Sequence, residues 1–416
     1  MDRISDFPPS IIETILCLLP IQEAARTSIL SSGWRYHWIK IPKLVFIEDT
    51  FQVPTDEAEL LVQTFDRPSQ RIGMNKRCKL FYAIYQVLLM HEGPIQEFTL
   101  SMTADKSCVE IDHILHHLSK KKTVKKLTLG ICRGYKLPSS LFSMPQLTEL
   151  YLNSCSLDYQ PIFAGFGSLT SLCVQQLEAT EKSLMHLLSK CPLLKNLHSN
   201  CIIITSEEYN STIADLFECL PMIENLSFWF GLVLHFVKDR VPKKLPTTLA
   251  HLKYLFIKRL SLMHEKGLPF LALLIRSSPK LETLKLEFIE DNTMLYEFEM
   301  DPVTIEDNSD IWLEHLNELE MINFGDRENE LDFLKLILAK SPVLKKVRIF
   351  HYNKVDEDEY RHCSRYGNLR CMVLKEILLR SPRASPAVEI IVQGRETFCA
   401  WCFSTVVSEM SNHVSS

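Results

Sequence analysis

Cys399-Ala400-Trp401-Cys402 is the one pair of thiols in this chain at a spacing that holds metal or runs redox chemistry. A structural zinc site takes four ligands. His413 is a candidate third, nothing nearby supplies a fourth, and no strand-helix-strand pattern frames the pair for redox work. The pair reads as coincidence. His113, His116 and His117 lie beside the apolar run Ile111-Ile114-Leu115-Leu118, and two histidines at i and i+3 could share a metal. No H-E-x-x-H frame is present and Lys120-Lys121-Lys122 follow. The reading is a solvated helix end, whose lysines, with Lys125 and Lys126, complement the helix dipole. The 12 glycines form no G-x-x-x-x-G-K, G-x-G-x-x-G or G-x-S-x-G arrangement, so phosphate cradles and nucleophile elbows are unsupported. No catalytic residue, metal site or cofactor is expected.

The bulk properties point the same way. The chain has 416 residues, of which 46% are hydrophobic, with net charge -5 and pI about 6.3. That balance gives no reason to expect nucleic acid or acidic lipid as a partner. Cys155, Cys173, Cys191 and Cys219 fall inside the apolar pattern and read as reduced core residues rather than a disulfide framework. Met1-Asp2-Arg3-Ile4 does not open a signal peptide, because Glu13 interrupts the nearby apolar run. No stretch approaches the ~18 apolar residues of a membrane span. A soluble protein of the nucleus, the cytoplasm or both is expected, without a membrane partner.

What must position a binding surface is a repeat. Five copies place apolar or small residues at i, i+3, i+4 and i+7, proline at i+8, and apolar residues at i+10 and i+13. They run from Leu137, Leu184, Ile213, Leu271 and Leu334, with Pro145, Pro192, Pro221, Pro279 and Pro342. The first spacing builds one buried helix face, proline ends the helix, and a short strand follows. Such a unit cannot bury its apolar face alone, so copies must stack into a solenoid. Strand anchors recur at Ile95, Val124, Leu147, Leu169, Leu194, Ile223, Leu252, Leu281, Leu316 and Leu344, 22 to 35 residues apart. Leu147 to Leu157 matches the leucine-rich-repeat consensus, with Cys155 at its cysteine position. That position drifts to Ile202, Gly231 and Ile289 elsewhere. The longest step contains an acidic insertion, Glu287 to Asp310, read as a loop.

Residues 1–46 form a separate helical module. Asp6-Phe7-Pro8-Pro9 leads in, Ser10 and Glu13 form a capping-box signature, and Ile11, Ile12, Ile15, Leu16 and Leu19 share one helix face before Pro20. A second helix is expected over Ile21 to Leu30, and a third carrying Trp34, Trp38 and Ile41. A core this small calls for an apolar partner surface. The string from Asp6 to Pro20, continued by Thr27-Ser28-Ile29-Leu30-Ser31-Ser32-Gly33-Trp34-Arg35-Tyr36-His37-Trp38, resembles an F-box. Phe7 stands where leucine is usual and Gly33 where a basic residue is usual. The resemblance implies docking onto the SKP-type adaptor of a cullin–RING ubiquitin ligase. By position the contact would be made by Phe7, Pro8, Ile11, Ile12, Ile15, Leu16, Leu19, Pro20 and Trp34.

Residues 47–92 read as a helical connector that caps the repeats. It has a weak helical pattern over Val53 to Phe65, a turn at Arg67-Pro68-Ser69 with Gly73, and a clearer helix from Cys78 to Met90. Repeats occupy 93–310, a region continuing them 311–395, and a tail 396–416. Leu316 to Phe324 and Leu336 to Val347 are similar to the FBD domain of plant F-box/LRR proteins. The whole chain resembles the plant F-box/FBD/LRR-repeat family. The expected class is α/β: a three-helix F-box, a leucine-rich-repeat solenoid curved as a horseshoe, and a C-terminal FBD region.

Strand alternation sends every second side chain to the inner face. Tyr151, His198, Trp229, Phe256, Lys258 and Lys285 fall there, and exposed aromatics beside cations are typical interface anchors. These six are the expected contacts to a target protein. The function implied is a non-catalytic substrate receptor of an SKP–cullin–F-box ligase. The alternatives are a scaffold or decoy on the same repeats, or a sensor whose pocket takes a small ligand.

Overall fold

The computed structural model describes residues 7–30, 34–50, 68–158, 163–205, 211–238, 240–289, 311–351 and 363–394. It divides into two compact units, Met1–Asp239 and Arg240–Ser416. The acidic stretch past residue 289 and the Cys399–Cys402 pair with His413 lie outside the described residues.

The first unit opens with α1 (Pro9–Cys17) and α2 (Ile21–Arg26). The expected Ser10–Glu13 box does not form. Pro8 and Pro9 start the helix without a side-chain cap, because a proline with preset φ and no N–H to satisfy suits the first turn. The second helix tightens into a 3-10 turn at Thr27–Ile29. The expected third helix is absent: residues 34–37 form turns and Trp38–Lys40 a single 3-10 turn. Ile41 is extended, at φ -61 and ψ 133, since Pro42 excludes the helical region for the residue before it.

The same chain then becomes β1 (Lys43–Ile47), which pairs in parallel with β2 (Glu97–Thr103). Between them runs α3 (Pro68–Met90), so the turn expected at Arg67 to Gly73 is helical from Pro68 onward. Proline is tolerated in that first turn, and Gly73 inside the helix costs only about 1 kcal/mol. The remaining elements of the unit are α4 (Val109–Lys121), β3 (Lys126–Lys136), β4 (Glu149–Leu157), β5 (Ser171–Gln175), β6 (Leu177–Ala179), α5 (Glu181–Ser189), β7 (Asn196–Ser199), β8 (Ile202–Ile204), α6 (Ile213–Glu218), β9 (Asn225–Trp229) and α7 (Phe230–Phe236). Strands β1-β2-β3-β4-β5-β7-β9 lie side by side, and the short β6 joins β4 to β8.

The second unit holds β10 (Tyr254–Leu260), α8 (Gly267–Ser277), β11 (Thr283–Phe288), β12 (Glu318–Phe324), α9 (Glu328–Lys340), β13 (Lys346–His351), α10 (Cys363–Arg380) and β14 (Glu389–Gly394), with all five strands parallel and in chain order.

The repeat proline does more than stop a helix. In all five copies the residue before it accepts a hydrogen bond from the residue three further on. The pairs are Leu147 to Met144, Leu194 to Cys191, Ile223 to Leu220, Leu281 to Ser278 and Leu344 to Ser341. Proline is thus the second residue of a β-turn, a position its φ fits. Four copies are preceded by an α-helix, and the first, at Leu141–Ser143, by a 3-10 turn. The strands then alternate, β2, β11 and β13 each burying every second residue. The drifting consensus position also resolves. Cys155, Leu177, Ile202, Leu260 and Phe324 are all buried there. Ser154, Gln176, Arg259 and Asn323 just before four of them take positive φ, which bends the chain off the strand. Gly231 falls outside this rule because α7 starts directly after β9.

A cavity of about 30 Å³ lies in the first unit's core, lined by residues that include Leu172, Val174, Leu188, Phe217 and Val233. An apolar cavity of roughly 150 Å³ is the scale that takes benzene, so this is a packing gap.

Candidate functional site

The first candidate surface is the N-terminal helical module. Helix α1 is apolar on two sides. Ile12 and Leu16, at i and i+4, point inward and are buried with Ile21, Ala24, Trp34, Trp38 and Ile39. Phe7, Pro8, Ile11, Leu19 and Pro20 are exposed, and Ile15 is half-buried. Ile12, Leu16 and Trp34 are therefore corrected as adaptor contacts: they form the module's core and have no surface to offer. The sequence reading missed Leu18, 80% exposed, and Ile29, 87% exposed, which sit with Leu30 and Tyr36 outside the buried pattern. Their signal was an apolar residue off the inward stripe. So many large apolar side chains left exposed on one small module make it a candidate interaction site.

The module is not free-standing. The Glu92 N–H donates to Ile39 O at 3.0 Å, the Gln96 N–H donates to Pro42 O at 2.8 Å, and His91 Nε2 lies 2.8 Å from Ile41 O. Phe46 packs against Phe98 in a tilted arrangement, with ring centroids 5.7 Å apart. The end of the F-box segment is thus the first strand of the repeat sheet.

The second candidate surface is the inner face of the strands. In the first unit the parallel register lays out three rows. One runs Lys43, Glu97, Lys126, Glu149, Ser171, Asn196, Asn225. Its charges alternate and pair: Lys43–Glu97 3.8 Å, Lys126–Glu97 3.8 Å and Lys126–Glu149 3.0 Å. The next holds Val45, Thr99, Thr128, Tyr151, Cys173, His198 and Ser227, and the third Ile47, Ser101, Gly130, Asn153 and Gln175. Tyr151 is half-buried and donates to Gln175 Oε1 at 3.0 Å. Burial pushes its phenol up to about 12. His198 is half-buried in the same row. Trp229 is half-buried rather than exposed, because its indole lies along the backbone of Gly231, where an added methyl would sit 3.1 Å from the ring.

In the second unit the matching row is Phe256, Lys285, Glu320, Arg348 and Ile391. Phe256 is only 9% exposed, which corrects its reading as an exposed anchor. Lys285 Nζ lies 4.8 Å and Lys258 Nζ 5.2 Å from its ring centroid, a cation–π arrangement that covers the ring. Lys285 also meets Glu320 at 2.8 Å, and Arg348 bridges Glu320 at 2.9 Å and Glu318 at 3.1 Å. The six expected target contacts thus fall on two units: Tyr151, His198 and Trp229 on one, Phe256, Lys258 and Lys285 on the other.

Candidate chemistry elsewhere is quiet. His113, His116 and His117 are exposed along α4, whose last turn carries Lys120 and Lys121. Partial desolvation of its ring against the helix first, and then the charges of Lys121 and Lys120, hold the His117 imidazole below its ordinary pKa. Among the described residues no group of three or more His, Cys, Asp or Glu could hold a metal ion. Burial pushes the thiols of Cys155 and Cys191 up to about 12, which keeps them protonated and unreactive. No described helix is long and apolar enough to cross a membrane.

Comparison with known proteins matches three family models in order. The F-box domain model matches residues 4–45. The model described as "FBD-associated F-box protein At5g56370, LRR repeats" matches 111–213, and the FBD model 312–349. The Arabidopsis thaliana F-box/FBD/LRR-repeat protein At1g13570 is 28% identical over 438 residues, covering 94% of this chain and 98% of that protein. The Arabidopsis F-box/FBD/LRR-repeat protein At3g26920 is 28% identical over 202 residues, covering 47% of this chain and 41% of its own length. Among solved structures, a TLR13–ssRNA13 complex aligns over 65% of this chain and 37% of that one. Its TM-score of 0.34 at 13% identity carries no argument. No catalytic family is among the models matched.

Proposed function

We propose, for a chain that carries an F-box, leucine-rich repeats and an FBD region in that order, that it is a substrate receptor of an SKP–cullin–F-box ubiquitin ligase. The observation that carries this reading is the division of labour on α1. Ile12 and Leu16 make the module's own core, while Phe7, Ile11, Leu18 and Leu19 leave a second apolar side facing solvent. Burying that side against an adaptor is worth about 25 cal/mol for each Å² removed from water. The repeats then hold a target protein on their inner strand faces. Acceleration comes from proximity: two binding events on one chain raise the local concentration of the target's lysines near the charged enzyme. No side chain of this protein touches the transferred ubiquitin.

The test is a titration of the full chain with a plant SKP-type adaptor. Leu19→Ala with Pro20→Ala, both on the exposed side, should weaken binding by about 2 kcal/mol or more, the scale of an interface hot spot, and leave the melting curve in place. Unchanged affinity would sink the docking claim. Adaptor and cullin co-purifying with a target that is never ubiquitinated would return the scaffold reading instead.

A further inference from the structure

The inner face of the first unit has a chemical character that its neighbouring row lacks. Lys43, Glu97, Lys126 and Glu149 spend their charges on one another. In the two rows beyond them, from β2 through β7, the described strands present no Asp, Glu, Lys or Arg at all. Charged residues are 23% of the whole chain and concentrate at surfaces, so a half-exposed face without them selects against a charged ligand. What it offers is hydroxyl and carboxamide groups, with the half-buried His198 imidazole at the β7 end.

Two features say how a ligand meets this face. Asn153 and Gln175 stand opposite each other in register, about 4.8 Å apart across the strands. The oxygen of Gln175 already accepts from Tyr151, and the Ser154 hydroxyl lies 3.2 Å from Asn153 Oδ1. The amide N–H groups of both residues have no partner among the described residues, and each amide carries two donors. Beside Asn153 in the same row is Gly130, half-buried and without a side chain, so the backbone there lies open between Ser101 and Asn153. An added Cβ would meet only Ser101, its hydroxyl at 3.2 Å and its Cβ and Cα at the ordinary contact distances of 3.6 and 3.8 Å. Glycine at such a point lets another backbone approach closely.

We propose that this face takes an extended, uncharged stretch of the target polypeptide. Asn153 and Gln175 donate to its backbone carbonyl oxygens, and Gly130 is the point of closest approach. The inference rests on the receptor reading above, since it assumes that the repeats' ligand is a protein. A glycan bearing N-acetyl groups would satisfy some of the same donors and is distinguished by the test.

The test pans the full chain, bound to its adaptor, against a phage library of random dodecapeptides, and subtracts peptides retained by Gly130→Thr. Threonine suits a strand, and the hydroxyl it meets can rotate away, so the fold should survive; an unshifted melting curve checks this. Asn153→Asp is the second variant, nearly isosteric and adding one negative charge. The expected peptides lack Asp, Glu, Lys and Arg in their central stretch. A synthetic copy should bind with an affinity that changes less than about twofold up to roughly 0.5 M salt, where exposed charges are screened. Both variants should weaken it about tenfold or more, or about 1.4 kcal/mol. Charge-rich peptides, steep salt dependence, equal binding to both variants, or recovery of no peptide sensitive to Gly130→Thr would overturn the proposal. So would selection of glycans in place of peptides on an array, blocked by the same substitutions. Any of these leaves adaptor docking and the receptor reading standing, whereas a chain that ignores the adaptor sinks that reading whatever the peptides show.

Discussion

Glu330 is buried at the start of α9, where it accepts the Gly325 N–H at 2.7 Å and lies 3.5 Å from the Arg327 guanidinium. Burial raises its carboxyl above the usual range, Asp326 adds to the rise, and Gly325 and Arg327 pull it partly back. A group whose folded pKa exceeds its unfolded one favours folding fully below the unfolded pKa and loses that contribution as pH rises through the folded value. The ionised carboxylate therefore costs stability near neutrality. Glu330→Gln keeps an acceptor for Gly325 and removes the charge. Its melting temperature should stand highest relative to the parent near neutral pH; the gap should close as pH falls through the raised folded value and be gone below about 4.3, the ordinary glutamate pKa. A gap that widens on acidification refutes this account. Side-chain position along a strand was legible in the sequence, because alternation has a period of 2 and the pattern is unbroken in β2, β11 and β13. Side-chain cover was not. Phe256 is hidden by two lysines, one on the next strand, and Trp229 by a backbone turn at Gly231. Both depend on tertiary neighbours that spacing does not specify.

At the scale of elements, the F-box and the repeats share a strand. Leu44 and Phe46 of β1 are fully buried, and β1 pairs with β2 from Lys43 to Ile47. The sequence reading gave the F-box a core of its own, because its helices end near Ile41 and a boundary at 46 is where the motif stops. Pro42 explains the difference: it closes the helical stretch and sends the chain straight into the sheet. Removing residues 1–46 is then no clean excision. It strips β2 of four of its five β1 partners, opens that stretch of strand edge and uncovers Phe98, which invites aggregation. We expect the truncated chain to lose on the order of a few kcal/mol, given about 1.5–3 kcal/mol for each large apolar side chain brought to water, and to bind target poorly for that reason alone. A truncated chain with the parent's melting temperature and full target binding would show that the two modules fold independently. Substitutions on the exposed side of α1 are the sounder way to separate adaptor docking from target binding.

At the scale of the whole molecule, each unit is a stack in which a strand touches only its neighbours. Contacts in such stacks are nearest-neighbour, so damage should stay local. Leu284 of β11 is fully buried, with Leu255 of β10 and Leu319 of β12 opposite it in register. Leu284→Ala should cost about 2–5 kcal/mol, the usual loss for a core leucine whose cavity cannot collapse. Hydrogen exchange should quicken first in β10, β11 and β12, while β2 to β5 and the Ile12–Leu16 core of the F-box keep their protection. The two compact units make the contrast measurable, because Leu284 belongs to Arg240–Ser416 and the F-box to Met1–Asp239. A uniform rise in exchange that reached α1 as fast as β11 would mean one cooperative core. The reading of each unit as a stack of separable repeats would then fail.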